Sequence, residues 1–230
     1  MLINSKRGQN DVKVIVDGEK IERVNSFKYL GVMIDHKLTF SENVNFVSKK
    51  LAKKIGFFSR IAKNLTFAAR LNVYKSIIST HFDYCSSLLS STNQQSINKL
   101  QSLQNRALWV VWRCSKYTRT TSMYEALNIM NVRQRLLFNT LKLIFKIKHG
   151  LVPEYISDRV TTNENSHCYN LRNNGDFKLP LYKKSCTQRM LLYDGLMCYN
   201  SLPRDLKFES NFRRFVNELK IWCKKTWRKF

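Results

Sequence analysis

The chain has 230 residues, 40 Lys and Arg against 16 Asp and Glu, a formal charge of +24 and an ordinary 43% of apolar residues. With 12% aromatics but only seven Gly and three Pro, it is neither disordered, collagen-like nor low in complexity, and its length supplies a core for one large or two small domains. The longest apolar run, Ala107 to Trp112, falls far short of the roughly 18 residues a membrane-spanning helix needs, so no membrane partner is expected.

Met1 to Arg7 places no apolar run behind its charges. No secretory leader is expected there, so the expectation is an intracellular protein, nuclear or cytoplasmic, with its six cysteines as free thiols. Val12 to Val16 then runs into Asp17-Gly18, a favoured two-residue hairpin turn, and Lys20 to Val24 returns with alternating side chains. Phe27 to Ile34 is dense in β-branched and aromatic residues and reads as a third strand ending at Asp35. Three strands with so much free edge make a poor domain alone, so residues 1–40 read as the end of a sheet that begins elsewhere.

From Ser41 the period becomes helical. Ser41 has cap chemistry, Glu42 suits the positive end of the dipole, and Val44, Val47, Leu51, Ile55, Phe58, Ala62 and Leu65 recur every three or four residues. Thr66 caps a second helix striped by Leu71, Tyr74, Ile78, Phe82 and Cys85, and Asn93 opens a third striped by Ile97, Leu100, Leu103, Ala107, Leu108 and Val111. Ser122 and Glu125 have capping-box spacing, and Asn131 starts a helix that Lys148-His149-Gly150 ends. Residues 41–150 are therefore read as a helical bundle. Residues 151–230 are read as an irregular connection, with a turn at Asn173-Asn174-Gly175 and an extended piece near Phe177 to Leu181, followed by two helices. These run from about Thr187 to Tyr199 and from a Ser210 cap through Trp222. The fold class is mainly α with a small N-terminal antiparallel β element, an α+β arrangement.

The charge is localised. Between Asn43 and Pro153 stand 18 bases and two acids, Asp83 and Glu125, which is +16 of the +24. A solubility surface mixes signs, so a bias this concentrated reads as the footprint of a polyanion. Lys49, Lys50, Lys53 and Lys54 put four ammonium groups on adjacent helical turns, where like charges repel one another by a few tenths of a kcal/mol per pair unless a polyanion is near. Trp109, Trp112 and Arg113 lie together further on, as core packing or as a stacking platform.

Other chemistries find little material. Asp17 and Glu19 straddle a hairpin turn, and that turn accounts for Asp17 without a metal. Seven scattered glycines form no phosphate loop, the six cysteines form no Cys-x-x-Cys pair, and His167-Cys168 stands alone in a polar stretch. Neither catalytic nor metal-ligating residues are expected.

Several motifs resemble a known family. Phe27-Lys28-Tyr29-Leu30-Gly31-Val32-Met33-Ile34-Asp35, then Leu38-Thr39-Phe40 and a Lys-rich helix, resembles the segment after the catalytic palm of non-LTR (LINE-type, jockey-like) retrotransposon reverse transcriptases. Tyr74-Lys75-Ser76, Asp83-Tyr84-Cys85, Leu100-Gln101 and Gln104-Asn105-Arg106-Ala107-Leu108 resemble that family's helical thumb. Tyr169-Asn170-Leu171-Arg172, Tyr193-Asp194-Gly195, Asn200-Ser201-Leu202-Pro203 and Phe212-Arg213-Arg214-Phe215 resemble its C-terminal segment. Tyr199 departs from the pattern, standing where a Trp is expected.

The family's catalytic Tyr-x-Asp-Asp strand has no counterpart in these residues. The resemblance therefore implies a truncated RNA-directed DNA polymerase fragment, without the catalytic palm and inactive alone, that retains sequence-independent binding of RNA or RNA–DNA hybrid. The alternative is a non-catalytic protein-interaction fragment or a functionless relic of a mobile element. No cofactor is expected in this chain, Mg serving the complete enzymes, and a palm-containing polypeptide is the second expected partner. The candidate nucleic-acid-binding residues are Lys49, Lys50, Lys53, Lys54, Arg60, Lys63 and Arg113, and Lys28, Tyr29, Leu30 and Gly31 form the primer-grip-like motif.

Overall fold

A computed structural model describes residue 3 and residues 15–163, 175–182 and 185–225. The readings at Met1–Arg7, Val12–Val14, His167-Cys168, Tyr169–Arg172 and Asn173-Asn174 lie outside the described residues, apart from Ile3. Strands β1 (Ile15–Val16) and β2 (Glu19–Lys20) pair antiparallel across Asp17-Gly18, both at positive φ, as the turn chemistry requires. The expected third strand is instead a second hairpin. β3 (Ser26–Tyr29) pairs with β4 (Val32–Asp35) around Leu30 (φ 45°) and Gly31 (φ 83°), another two-residue turn with both central residues left-handed. The single glycine in a β-branched run marks that turn, and Leu30 is carried into the left-handed region beside it.

Helix α1 (Ser41–Ile61) starts without the expected serine cap. The chain enters it through a left-handed Phe40, and the buried Asp35 carboxylate accepts from Thr39 N (3.0 Å), Thr39 Oγ1 (2.9 Å) and Phe40 N (2.7 Å). These bonds outweigh the cost of burial and hold the Asp35 carboxyl below the usual range. Met33 N donates to the buried Asn43 Oδ1 (3.1 Å), which ties β4 to the first turn of α1.

Helix α2 (Phe67–Val73), capped by Thr66 as read, continues through a π-helical turn (Tyr74–Ile78) into α3 (Thr80–Asp83). After a left-handed Cys85 come α4 (Ser86–Ser90) and α5 (Gln94–Trp112), whose N-terminus Asn93 caps as expected. α6 (Thr121–Ala126) has no side-chain cap, so the Ser122–Glu125 box does not form; Thr120 enters with helical dihedrals and offers no extended N-cap. In α7 (Val132–Lys148), by contrast, Asn131 and Gln134 make a complete capping box.

Beyond α7 lie α8 (Glu154–Ser157), α9 (Ser185–Gln188), a π-helical turn (Leu191–Gly195), α10 (Leu196–Asn200), α11 (Arg204–Phe208) and α12 (Phe212–Lys225). The reading of one helix over 187–199 is corrected: an extended Met190 interrupts it, and the π turn then sets Gly195 against α7. The cap of α12 is Asn211, whose Oδ1 accepts from Arg213 N and Arg214 N, rather than Ser210.

Two cores result. The first joins α1, the Tyr74–Ile78 π turn, α3 and α5 through Leu51, Ile55, Phe58, Tyr74, Ile78, Phe82, Leu100 and Leu108, and ends at Val132 and Leu136 of α7. The second begins on the next turns of the same helix, where Phe138, Leu141, Ile144 and Phe145 pack with Leu196, Tyr199, Phe215 and Leu219. Phe145 stacks on Phe215 with ring centroids 4.2 Å apart. One amphipathic helix, apolar on two faces at different heights, thus fastens the C-terminal helices to the bundle.

Candidate nucleic-acid interface

Burial of Val44, Leu51, Ile55 and Phe58 fixes the rotation of α1 and turns the opposite arc to solvent. At about 100° per residue, Lys49, Arg60 and Lys53 fall within about 40° of one another as a ridge, with Lys50 and Lys54 further round. All five are exposed, as are Lys63 and Arg113. None of the seven has a carboxylate partner among the described residues.

The ridge is flanked on both sides. Along α5, a groove of about 590 Å³ brings Lys63 of α1's trailing turn together with Arg113, and adds Arg106, Lys116 and the face of Trp109 without a carboxylate. Trp109 is half-buried and donates Nε1 to Thr118 O (3.0 Å), whereas Trp112 packs edge-on against Phe67 with centroids 5.2 Å apart. The two tryptophans therefore differ: Trp109 lines a cationic groove, whereas Trp112, 38% exposed, rests outside it on the exposed Phe67 ring. Arg106, read from the sequence only as part of a thumb-like motif, and Lys116 are not among the expected binding residues; their signal is their spacing from Arg113 around the end of α5.

On the other flank stands the β3–β4 hairpin. Tyr84 Oη donates to Leu30 O, and a Cβ on Gly31 would meet the Tyr84 hydroxyl at 3.5 Å and its ring at 3.7 Å, so the Leu30-Gly31 turn is seated on the residue after α3. That docking places Lys28 Nζ 5.3 Å from the centroid of the Phe46 ring, which Lys50 Nζ approaches at 4.3 Å. Lys28 of the primer-grip-like motif and Lys50 of the ridge thus share one aromatic ring. Tyr29, Leu30 and Gly31 are exposed beside them. Half-buried His81 faces the same lysines: burial first, then Lys54 and Lys50, push its pKa below the ordinary imidazole value. Neither Phe46 nor His81 was picked from the sequence, although Phe46 stands one helical turn before Lys50.

Other bases of the +16 segment serve the fold. Buried Arg70 donates to Val111 O (2.7 Å) and Leu65 O (2.6 Å), closing the end of α5. Arg135 grips Asp83 with two bonds of 2.6 and 2.5 Å, and Lys148 donates to Lys207 O (2.9 Å). The family-like motif at 100–108 is structural as well. Gln101 accepts from Val132 N (2.9 Å) and donates to Tyr124 Oη (2.7 Å), while fully buried Gln104 donates to Tyr74 Oη and Met130 O (both 2.9 Å). Asp17 and Glu19 lie in the exposed first hairpin, and among the described residues no group of three or more His, Cys, Asp or Glu is placed to hold a metal. Cys85, Cys114, Cys198 and Cys223 carry free thiols, and burial pushes the Cys198 and Cys223 thiols up to about 12. Among the described residues no helix is long and apolar enough to cross a membrane.

Comparison with known proteins agrees with the motifs. The chain is 25% identical over 122 residues to a probable RNA-directed DNA polymerase from transposon X-element of Drosophila melanogaster, and 25% over 126 residues to the RNA-directed DNA polymerase from mobile element jockey of the same organism. The chain resembles retrotransposon RNA-directed DNA polymerases. A third such protein, the probable RNA-directed DNA polymerase from transposon BS, also of Drosophila melanogaster, is 23% identical over 124 residues. The matches take in 52% to 54% of this chain but only 13% to 14% of each polymerase. No family model matches the chain, and no solved structure does. The similarity to these polymerases therefore concerns a short part of large proteins, and the placement of each cation comes from the fold of this chain.

Proposed function

We propose that these residues hold an RNA or RNA–DNA hybrid through its phosphates, independently of sequence, as the thumb-like part of a retrotransposon reverse transcriptase. The single observation behind this reading is the arc from Lys28 and Lys50 through Lys49, Lys53 and Arg60 to Lys63 and Arg113, exposed and without a carboxylate partner among the described residues. Lysines placed this way follow a backbone and read no bases. Trp109 and Phe46 add faces on which a base or sugar can rest. Polymerisation needs a converging carboxylate pair on Mg²⁺, and the Tyr-x-Asp-Asp strand that carries it in the family is not among these 230 residues. Holding the duplex, rather than the chemistry, is the work assigned to this part. Binding of a labelled RNA–DNA hybrid tests it: Lys49→Glu with Lys53→Glu is expected to weaken the complex at least tenfold and to lower the salt slope by about 2. Unchanged affinity in that variant would overturn the reading.

One observation favours an accompanying protein contact. Phe27, Tyr29 and Leu30 are 55%, 59% and 73% exposed on the β3–β4 hairpin, a large apolar edge for so short a sheet. A palm-containing polypeptide is the proposed partner. Sedimentation with such a polypeptide, without nucleic acid, is expected to show a complex that Phe27→Ser with Leu30→Ser abolishes.

A further inference from the structure

A second cationic feature lies away from the α1 ridge and shares no lining residue with the α5 groove. A trough of about 1020 Å³ runs between the Tyr74–Ile78 π turn and α3 on one side and α12 on the other, with α7 as its floor. Arg135, Asn139, Lys142 and Lys146 recur on one face of α7, spanning about 16 Å at 1.5 Å per residue. Lys75 stands on one wall and Lys220 on the other.

Among the described lining residues Asp83 is the lone carboxylate. Arg135 (2.5 and 2.6 Å) and Asn139 (2.9 Å) already occupy its oxygens. Lys75, Lys142, Lys146 and Lys220 are left without a counterion in a concave site, where apolar walls concentrate their field. Lys142 Nζ sits 4.6 Å from the Phe138 ring centroid and Lys146 Nζ 5.3 Å from that of Phe212. Burial, followed by Lys146 and Arg135, depresses the Lys142 ammonium despite the opposing pull of Asp83. An incoming anion would relieve that crowding.

We propose that this trough holds the phosphodiester backbone of a single-stranded nucleic acid, separately from the duplex on the α1 ridge. The inference rests on the nucleic-acid reading above. Its elongation, with cations spaced along a helix, suits a strand better than a compact phosphate. A volume at the upper end of small-molecule pockets has room for a few nucleotides of one strand and none for a duplex. The apolar surface offered by Phe138 and Leu143 on the floor and by Phe212 and Val216 on the α12 wall receives bases without selecting among them.

Two labelled probes test the proposal on the whole chain: a short oligouridylate and an RNA–DNA hybrid of the same length. Lys142→Glu with Lys146→Glu is expected to weaken the oligouridylate about tenfold or more and lower its salt slope by about 2, while hybrid affinity stays within about twofold. Lys49→Glu with Lys53→Glu is expected to do the reverse. Should the α7 double variant fail to fold, Lys75→Ala with Lys220→Ala removes two exposed cations from the walls and is expected to weaken the oligouridylate about threefold or more. Wild-type oligouridylate affinity in the α7 or wall variant, with hybrid binding intact, would overturn this inference and leave the duplex reading standing. Failure of the unaltered chain to bind either probe would overturn both.

Discussion

Tyr199 occupies the position at which the family pattern has a Trp. Its side chain is wholly buried between the two halves of the second core, edge-on to Phe177 at 5.3 Å, and its hydroxyl has no hydrogen-bond partner. Burial alone raises the phenol's pKa. An unpartnered buried hydroxyl costs about 1–3 kcal/mol, so Tyr199→Phe is expected to stabilise the chain by about 1 kcal/mol and raise Tm by about 2–4 °C in a calorimetric scan. A fall in Tm would mean that the hydroxyl is satisfied. His81 gives a different residue-scale test. With its pKa held below 6.5 by burial, Lys54 and Lys50, it resists protonation in the folded chain, and stability declines as pH falls through the unfolded value of about 6.5. A polyanion on those lysines removes part of the repulsion and raises the pKa, so binding takes up a proton. Hybrid affinity is therefore expected to rise severalfold from about pH 7.5 to about 5.5, a rise that His81→Gln flattens. A wild-type pH profile as flat as that of the variant would contradict the placement of the duplex beside His81.

At the scale of elements, α7 and the π turn that packs on it make the clearest test. A Cβ at Gly195 would meet Leu191 Cδ1 and Thr140 Cγ2 at 3.1 Å and Ile144 Cδ1 at 3.4 Å. Gly195→Ala is expected to cost about 1–3 kcal/mol in denaturant unfolding, although its backbone dihedrals suit alanine. The same element shows why parts of the fold were legible in the sequence and parts were not. Helices α1, α5 and α7 announce themselves by long apolar periods, and α5 and α7 also by the Asn93 and Asn131 caps, because burial and capping both act within a few residues. The break at Met190 and the π turn after it follow from the shape of α7, a partner distant in sequence. The Asp35 carboxylate that fixes the left-handed entry into α1 is likewise supplied across a turn. For the interface, the lysines of α1 were visible as a run of like charge. Their meeting with Lys28 over Phe46 was not, because it depends on Tyr84 seating the Leu30-Gly31 turn.

For the molecule as a whole, +24 divides into cations that build and cations that face outward. Arg70 belongs to the first group: Arg70→Leu leaves the Val111 and Leu65 carbonyls without their donor and is expected to cost about 2–3 kcal/mol of stability, with hybrid affinity unchanged at a temperature where the variant is folded. Weakened binding in a folded Arg70→Leu chain would move Arg70 into the second group. Two concentrations of outward cations, the arc around α1 and the trough along α7, have no residue in common. The most direct test is the salt dependence of RNA–DNA hybrid binding by the intact chain. Half a dozen phosphate contacts predict a loss of about 10³-fold in affinity between about 50 and 200 mM salt, on a straight line of log affinity against log salt. A flat dependence, or no retention of the hybrid at about 50 mM salt, would contradict the account.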